Sequence, residues 1–96
     1  MTRLTLTRDA ETDFTEITLY TIERFCLDQA ERYTEALWQR CLLLAEHPGL
    51  GRRYEVVREG LLRAEYERHS IYYRSSSDGI LVYRILHQRR DPARHL

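Results

Sequence analysis

His69-Ser-Ile-Tyr-Tyr-Arg74, Ser75-Ser-Ser-Asp-Gly79 and Ile80-Leu-Val-Tyr-Arg-Ile-Leu-His87 read as strand, turn and strand, and the second strand runs directly into Gln88-Arg-Arg-Asp91. β-Branched and aromatic residues fill both strand runs, and the Ser/Asp/Gly cluster between them is turn chemistry. In the last run Leu81, Tyr83, Ile85 and His87 are expected on one face, with Ile80, Val82, Arg84 and Leu86 on the other. A strand apolar on both faces belongs inside a sheet. Arg84 is then an interior arginine that needs a partner: a carboxylate such as Glu65 or Glu67 on a neighbouring strand, or an anionic ligand. A third strand-like run, residues 61–67, lies one residue upstream and completes a three-stranded antiparallel meander.

Working outward, residues 2–7 alternate polar and apolar and are rich in threonine, which predicts a short strand. Thr7 or Asp9 can cap the helix that follows. Ala10, Phe14, Ile17, Thr21 and Phe25 recur at helical spacing, with Asp13, Glu16 and Glu23 off that stripe, and the helix ends near Cys26. Asp28 with Glu31 forms an Asp variant of the capping box, so a second helix starts there. Ala30, Tyr33, Leu37, Cys41 and Leu44 supply its stripe, and Pro48-Gly49 stops it. Two long helices joined by a short link fold back as an antiparallel pair. Residues 49–60, with three glycines and the Arg52-Arg53 pair, read as a loop. The expected architecture is α+β: a short N-terminal strand, an antiparallel helical hairpin and the meander.

A chain of 96 residues makes one domain, residues 1–96. No apolar run approaches the roughly 18 residues that span a bilayer, and the N-terminal Met-Thr-Arg-Leu-Thr-Leu-Thr-Arg lacks the apolar centre of a signal peptide. A cytoplasmic location is expected. Cys26 and Cys41 are too few and too ill-spaced for a disulfide framework or a zinc site, and both are expected to behave as small buried hydrophobes. No cofactor and no metal are expected. The zero net charge is unevenly spread: residues 1–51 carry five arginines and nine acids, net −4, and residues 52–96 carry ten and six, net +4. The C-terminal half is the face for an anionic partner. All 15 basic residues are arginine, which binds carboxylate or phosphate bidentately but accepts protons poorly.

Several residues lie off the expected stripes. Trp38 and Leu42 fit a second helix buried on two faces, between the first helix and the sheet. Leu19 sits nearly opposite its own stripe, as a residue exposed for contact with a partner would. Tyr72 and Tyr73 point to opposite faces of their strand, so at most one is buried against the helices. His69, at the start of its strand, is expected to hydrogen-bond locally.

Taken in order, the first strand, the Ala10…Phe14…Ile17 pattern and Phe25-Cys-Leu-Asp-Gln-Ala-Glu-Arg-Tyr33 open a longer set. Leu44-Ala-Glu-His-Pro-x-x-Gly-Arg52, His69-Ser-Ile-Tyr-Tyr-Arg74 and Ile85-Leu-His-Gln-Arg-Arg-Asp-Pro-Ala-Arg-His95 complete it. Together these resemble the ParE toxins of the RelE/ParE superfamily over nearly the whole chain. The resemblance implies a toxin of a type II toxin–antitoxin system that inhibits DNA gyrase by binding and is neutralised by a ParD-like antitoxin. No membrane partner and no sequence-specific DNA contact of its own are implied. Its alternative is a ribosome-dependent mRNA endoribonuclease of the RelE type.

The residues weigh against that alternative. RelE-like nucleases carry lysines after the second helix, absent here, and an arginine on the middle strand, where this chain has Ser70. No tyrosine follows Tyr83, so a nuclease would need His87 or His95 as base, with Arg84, Arg89 and Arg90 stabilising a phosphorane. The favoured reading is a binding toxin whose target contacts are Arg84, His87, Arg89, Arg90 and Asp91. Its antitoxin contacts are Leu19, Trp38, Leu42 and Tyr73. Two departures from the ParE pattern stand out: Cys26 replaces the usual glycine between the helices, and Arg90 replaces an apolar residue before the aspartate.

Overall fold

The computed structural model describes residues 2–96. Strand β1 (Arg3–Leu6) precedes helices α1 (Arg8–Arg24) and α2 (Leu27–Glu46). A 3₁₀ turn (Pro48–Leu50) leads to β2 (Arg52–Arg53), and β3 (Leu62–Tyr66), β4 (His69–Ser76), β5 (Gly79–His87) and a short helix α3 (Pro92–His95) follow. The strands form one five-stranded sheet in the order β1-β5-β4-β3-β2. The expected meander β3-β4-β5 is its antiparallel centre; β1 joins β5 in parallel, and β2 extends the other edge from within the stretch read as a loop. No helix among the described residues is long and apolar enough to cross a membrane.

Thr7 performs the first change of direction. Its hydroxyl accepts from Ala10 N–H at 3.1 Å, capping α1, and donates to the Tyr83 carbonyl at 2.7 Å. Its backbone N–H reaches the Val82 carbonyl at 3.0 Å. One residue thus ends β1, starts α1 and ties both to β5. Gly79 permits the parallel pairing, because a Cβ there would lie 1.8 Å from the Arg3 carbonyl oxygen.

Ala10, Ile17, Leu37, Cys41 and Leu44 from the helices meet Ile71, Tyr73, Ile80, Val82 and Ile85 in the main core. Complete burial of a Leu, Ile or Tyr-sized side chain stabilises by about 1.5–3 kcal/mol, so this layer dominates folding. The sheet's other face is also covered. There Leu61, Tyr72 and Leu86 form a second cluster with Tyr83 of β5, with Tyr54 and Val57 from the stretch before β3, and with Leu96. Tyr72 and Tyr73 therefore occupy different cores, and both are buried.

Several expectations need correction. The β4–β5 turn is two residues, 77 and 78, not the five of the Ser75–Gly79 cluster, because the strands continue pairing to Ser76↔Gly79. A bulge then breaks the alternation: Tyr73 faces Val82 but Tyr72 faces Arg84, leaving Tyr83 as the extra residue. Beyond it the phase changes, so Ile85 joins Ile80 and Val82 on the helix side, while Tyr83 and Leu86 share the other face. The start of α2 also differs. Cys26 takes the N-cap, its Sγ accepting from Gln29 N–H at 3.4 Å, and is exposed rather than buried. Asp28 lies inside the helix and pairs with Arg32 at 2.6 Å. Phe25, just past the end of α1, is half-exposed, whereas Asp13 on α1, expected off the apolar stripe, is 4% exposed. The reason is what α1 covers: its inner face meets a strand edge that carries unpaired backbone, and a carboxylate serves that edge better than a hydrocarbon.

Candidate functional site

β1 ends its pairing at Val82, so the edge of β5 from Tyr83 onward has no neighbouring strand. Asp13 stands in its place. Its Oδ2 accepts from the buried Ile85 backbone N–H at 2.9 Å. Its two oxygens also receive the Arg84 guanidinium, Nε to Oδ2 and Nη2 to Oδ1, both at 2.8 Å. This is the bidentate fork that suits arginine better than lysine. Arg84 Nη1 donates in addition to the His95 carbonyl at 3.0 Å, which fastens α3 to the same point. The Asp13 contact holds the guanidinium's pKa above its ordinary value, against the lowering effect of desolvation. Arg84 thus has the buried partner that an interior arginine requires, but from α1. The expected partners are elsewhere: Glu65 is engaged by Arg63 at 3.0 Å and lies 3.8 Å from Arg52, and Glu67 is in the β3–β4 turn.

Past this point β5 opens into a cleft of about 770 Å³ between the C-terminal half of α1, the start of α2 and the β3–β4 turn. Ile17, Tyr20 and Phe25 form apolar wall, and His69, His87, Arg89 and Arg90 bring polar groups. Tyr20 and Phe25 are each more than half exposed, so this wall is bare. His69 and His87 face each other directly across the β4–β5 pair, rings edge-to-face with centroids 5.6 Å apart. Burial, reinforced by His87, pushes the His69 pKa down to about 4. Its Nδ1 lies 2.7 Å from the Tyr33 hydroxyl, whose own pKa burial raises to about 12. At neutral pH both groups are uncharged. The hydrogen bond of His69 is therefore not the local one expected of a strand start: it reaches across to α2, 36 residues away in the chain.

The residues nominated from sequence therefore separate. His87, Arg89 and Arg90 come together in the cleft, while Arg84 is turned to Asp13 and does not line it. Asp91 is exposed and caps α3, its Oδ1 accepting from Ala93 N–H at 3.0 Å. His95 lies in α3, its carbonyl held by Arg84. On the helices Leu19 is 55% exposed, and Trp38 and Leu42 are 36% exposed. Trp38 packs edge-on against Phe14 at 5.7 Å beside a shallow groove of Thr18, Thr34 and Glu35. Tyr73 is fully buried with its hydroxyl donating to the Pro48 carbonyl at 2.6 Å, so as an antitoxin contact it is out of reach. Asp13, Tyr20, Phe25 and Tyr33 were not nominated from sequence. An acid three residues after Ala10 and four before Ile17 lies within reach of the buried stripe, and that was the one available signal for Asp13.

Among the described residues no group of three or more His, Cys, Asp or Glu is placed to hold a metal ion. The arrangement offers guanidinium and imidazole donors beside an apolar wall, on a small sheet backed by a helical hairpin. That is a donor-lined cleft on a small α+β domain. A family model for the ParE toxin of the type II toxin–antitoxin system, parDE, matches residues 4–92. The chain is 33% identical over 91 residues to toxin ParE1 of Caulobacter vibrioides, covering 95% of this chain and 94% of that one. It is 34% identical over 95 residues to toxin ParE1 of Mycobacterium tuberculosis, covering 98% and 97%. A solved structure of the chromosomal ParDE toxin–antitoxin system from P. aeruginosa shares the fold, with a TM-score of 0.77 at 22% identity, covering 91% of this chain and 96% of that one. The chain belongs to the ParE toxin family of type II toxin–antitoxin systems.

Proposed function

We propose that this ParE-family chain acts by binding DNA gyrase in the cytoplasm and is held inactive by a ParD-like antitoxin. The observation that carries the non-nuclease reading is the dispersal of the acid–base set. A nuclease would need His87 and Arg84 to converge on one phosphate, yet Arg84 is spent on Asp13 and the His95 carbonyl. His87 already accepts the Arg89 N–H through Nδ1, and His69 stays neutral until about pH 4. Catalysis by general acid and base needs groups within hydrogen-bond reach of one reacting centre.

In the binding reading, Arg89 and Arg90 are the exposed target contacts and His87 lies beneath them. Arg84 and Asp91 act as positioning residues: the first fixes α3 and the second caps it, so the 88–91 turn is held at a set angle to β5. Leu19, Trp38 and Leu42 are exposed apolar positions on the hairpin for an antitoxin segment to cover. A ParDE neighbour with the same fold, in which toxin and antitoxin belong to one system, supports an antitoxin partner here. The test is a gyrase supercoiling assay with purified chain, run beside in vitro translation. Inhibited supercoiling with intact messages is the expected result. Unaffected supercoiling with messages cleaved on the ribosome would make it a RelE-type endoribonuclease; inactivity in both would mark a toxin fold without toxin activity.

A further inference from the structure

The floor of the cleft has a polarity that target binding through Arg89 and Arg90 does not explain. His69 and His87 are both held through Nδ1. The Arg89 backbone N–H donates to Nδ1 of His87 at 3.2 Å, so that nitrogen is unprotonated and the ring hydrogen sits on Nε2. The Tyr33 hydroxyl lies 2.7 Å from Nδ1 of His69. A phenol is a stronger acid than a neutral imidazole N–H, so the hydroxyl donates and His69 also carries its hydrogen on Nε2. Among the described residues neither Nε2 has a hydrogen-bond partner. Two Nε2–H donors thus stand side by side, ring centroids 5.6 Å apart, in a cleft open to solvent.

This pattern disfavours a metal ion, which takes the lone pair of an imidazole nitrogen, because the available nitrogens carry hydrogens and no third ligand is near. It suits a group that only accepts. The charges lining the cleft agree: Arg68, Arg89 and Arg90 outnumber Glu16 and Glu67, and Asp13 is matched by Arg84. We propose that the cleft binds an oxyanion, carboxylate or phosphate, on the Nε2–H groups of His69 and His87, with Arg89 and Arg90 supplying charge and Tyr20 and Phe25 receiving the apolar part of whatever carries it. The site is independent of the gyrase reading, since it requires only the folded chain and an anion.

The test uses the full ¹⁵N-labelled chain. Long-range ¹H–¹⁵N correlation of the histidine rings reads both tautomers, and titrations with inorganic phosphate, acetate and chloride at matched ionic strength read the site. Both rings in the Nε2–H form, with Nε2 resonances moving together and saturably, is the expected result. Movement with phosphate alone assigns a phosphoryl ligand, and with acetate alone a carboxylate. Arg89→Gln and Arg90→Gln, both exposed, weaken that binding by roughly two- to fivefold each while leaving the tautomers unchanged. Either ring in the Nδ1–H form, or the same drift with all three salts, overturns the proposal.

Discussion

Replacing Asp13 with alanine removes the acceptor of three hydrogen bonds at once, two from Arg84 and one from the Ile85 backbone. The side chains of Asp13 and Arg84 are 5% and 17% exposed, so little water can take over. Stranding one charge of a buried pair costs about 3–5 kcal/mol. An orphaned buried N–H alone costs about 1–3 kcal/mol, and the two penalties overlap because they share one vacated site. We expect Asp13→Ala to lose about 4 kcal/mol, a large share of the roughly 5–15 kcal/mol that holds a domain folded. Urea unfolding followed by circular dichroism reads this as a midpoint lower by more than about 1 M, given slopes of about 1–3 kcal/mol per molar. Arg84→Met strands the carboxylate instead and should cost nearly as much. The double variant strands neither charge and should be more stable than Asp13→Ala, with a coupling of at least about 2 kcal/mol. A loss under about 1 kcal/mol for Asp13→Ala, or additive losses in the double variant, would refute the reasoning.

Four further outcomes follow from the same geometry. Glu67 holds φ 53 at the β3–β4 turn, a conformation that costs an L-residue about 1–2 kcal/mol, so Glu67→Gly should raise the urea midpoint by relieving it. His69, half-buried and held near pH 4 against an ordinary 6.5, takes up its proton later when folded than when unfolded. Its contribution is therefore complete above about pH 6.5 and is lost as pH falls toward 4; allowing for solvent screening this is about 1–2 kcal/mol, and an equal decline in His69→Gln would exclude it. A Cβ at residue 51 would lie 2.0 Å from the Tyr73 hydroxyl, so Gly51→Ala should break that hydroxyl's bond to Pro48 and cost about 1–3 kcal/mol, measured by thermal unfolding. Arg89→Glu with Arg90→Glu should abolish supercoiling inhibition while stability stays within about 0.5 kcal/mol, since both side chains are exposed; retained inhibition would move the target contact elsewhere.

What the sequence made legible was periodic. Ala10, Ile17, Leu37, Cys41 and Leu44 recur as helical stripes and all are buried, and the three central strands follow from their β-rich runs and turn residues. What it hid depended on single departures from period. The bulge at Tyr83 adds one residue to β5, and that shift is what brings His69 opposite His87. A perfect two-residue hairpin continued from Ser76↔Gly79 would instead pair His69 with Leu86, and no composition signal marks the extra residue. Cys26 was hidden for a different reason: a thiol is a weak acceptor, so a capping box at Asp28 looked stronger until the chain's turn at Phe25 selected the earlier position.

Arg84 shows how far the requirement and its solution can be apart. An arginine on an apolar strand demands a carboxylate, and that demand is local, so the sequence states it openly. The partner is 71 residues away, on a helix whose amphipathic pattern argued for placing Asp13 outside the core. Only the early end of β1 reconciles the two. Because β1 releases β5 at Val82, the strand keeps an unpaired edge at Ile85, and α1 crosses that edge with an acid on its inner face. The same carboxylate then satisfies the backbone, neutralises the arginine and, through it, holds the His95 carbonyl. A residue first nominated as a target contact is therefore better placed to set where Arg89 and Arg90 point than to touch a target itself. That distinction is measurable: Arg84→Met should lose inhibition together with stability, whereas the Arg89 and Arg90 substitutions should lose inhibition alone.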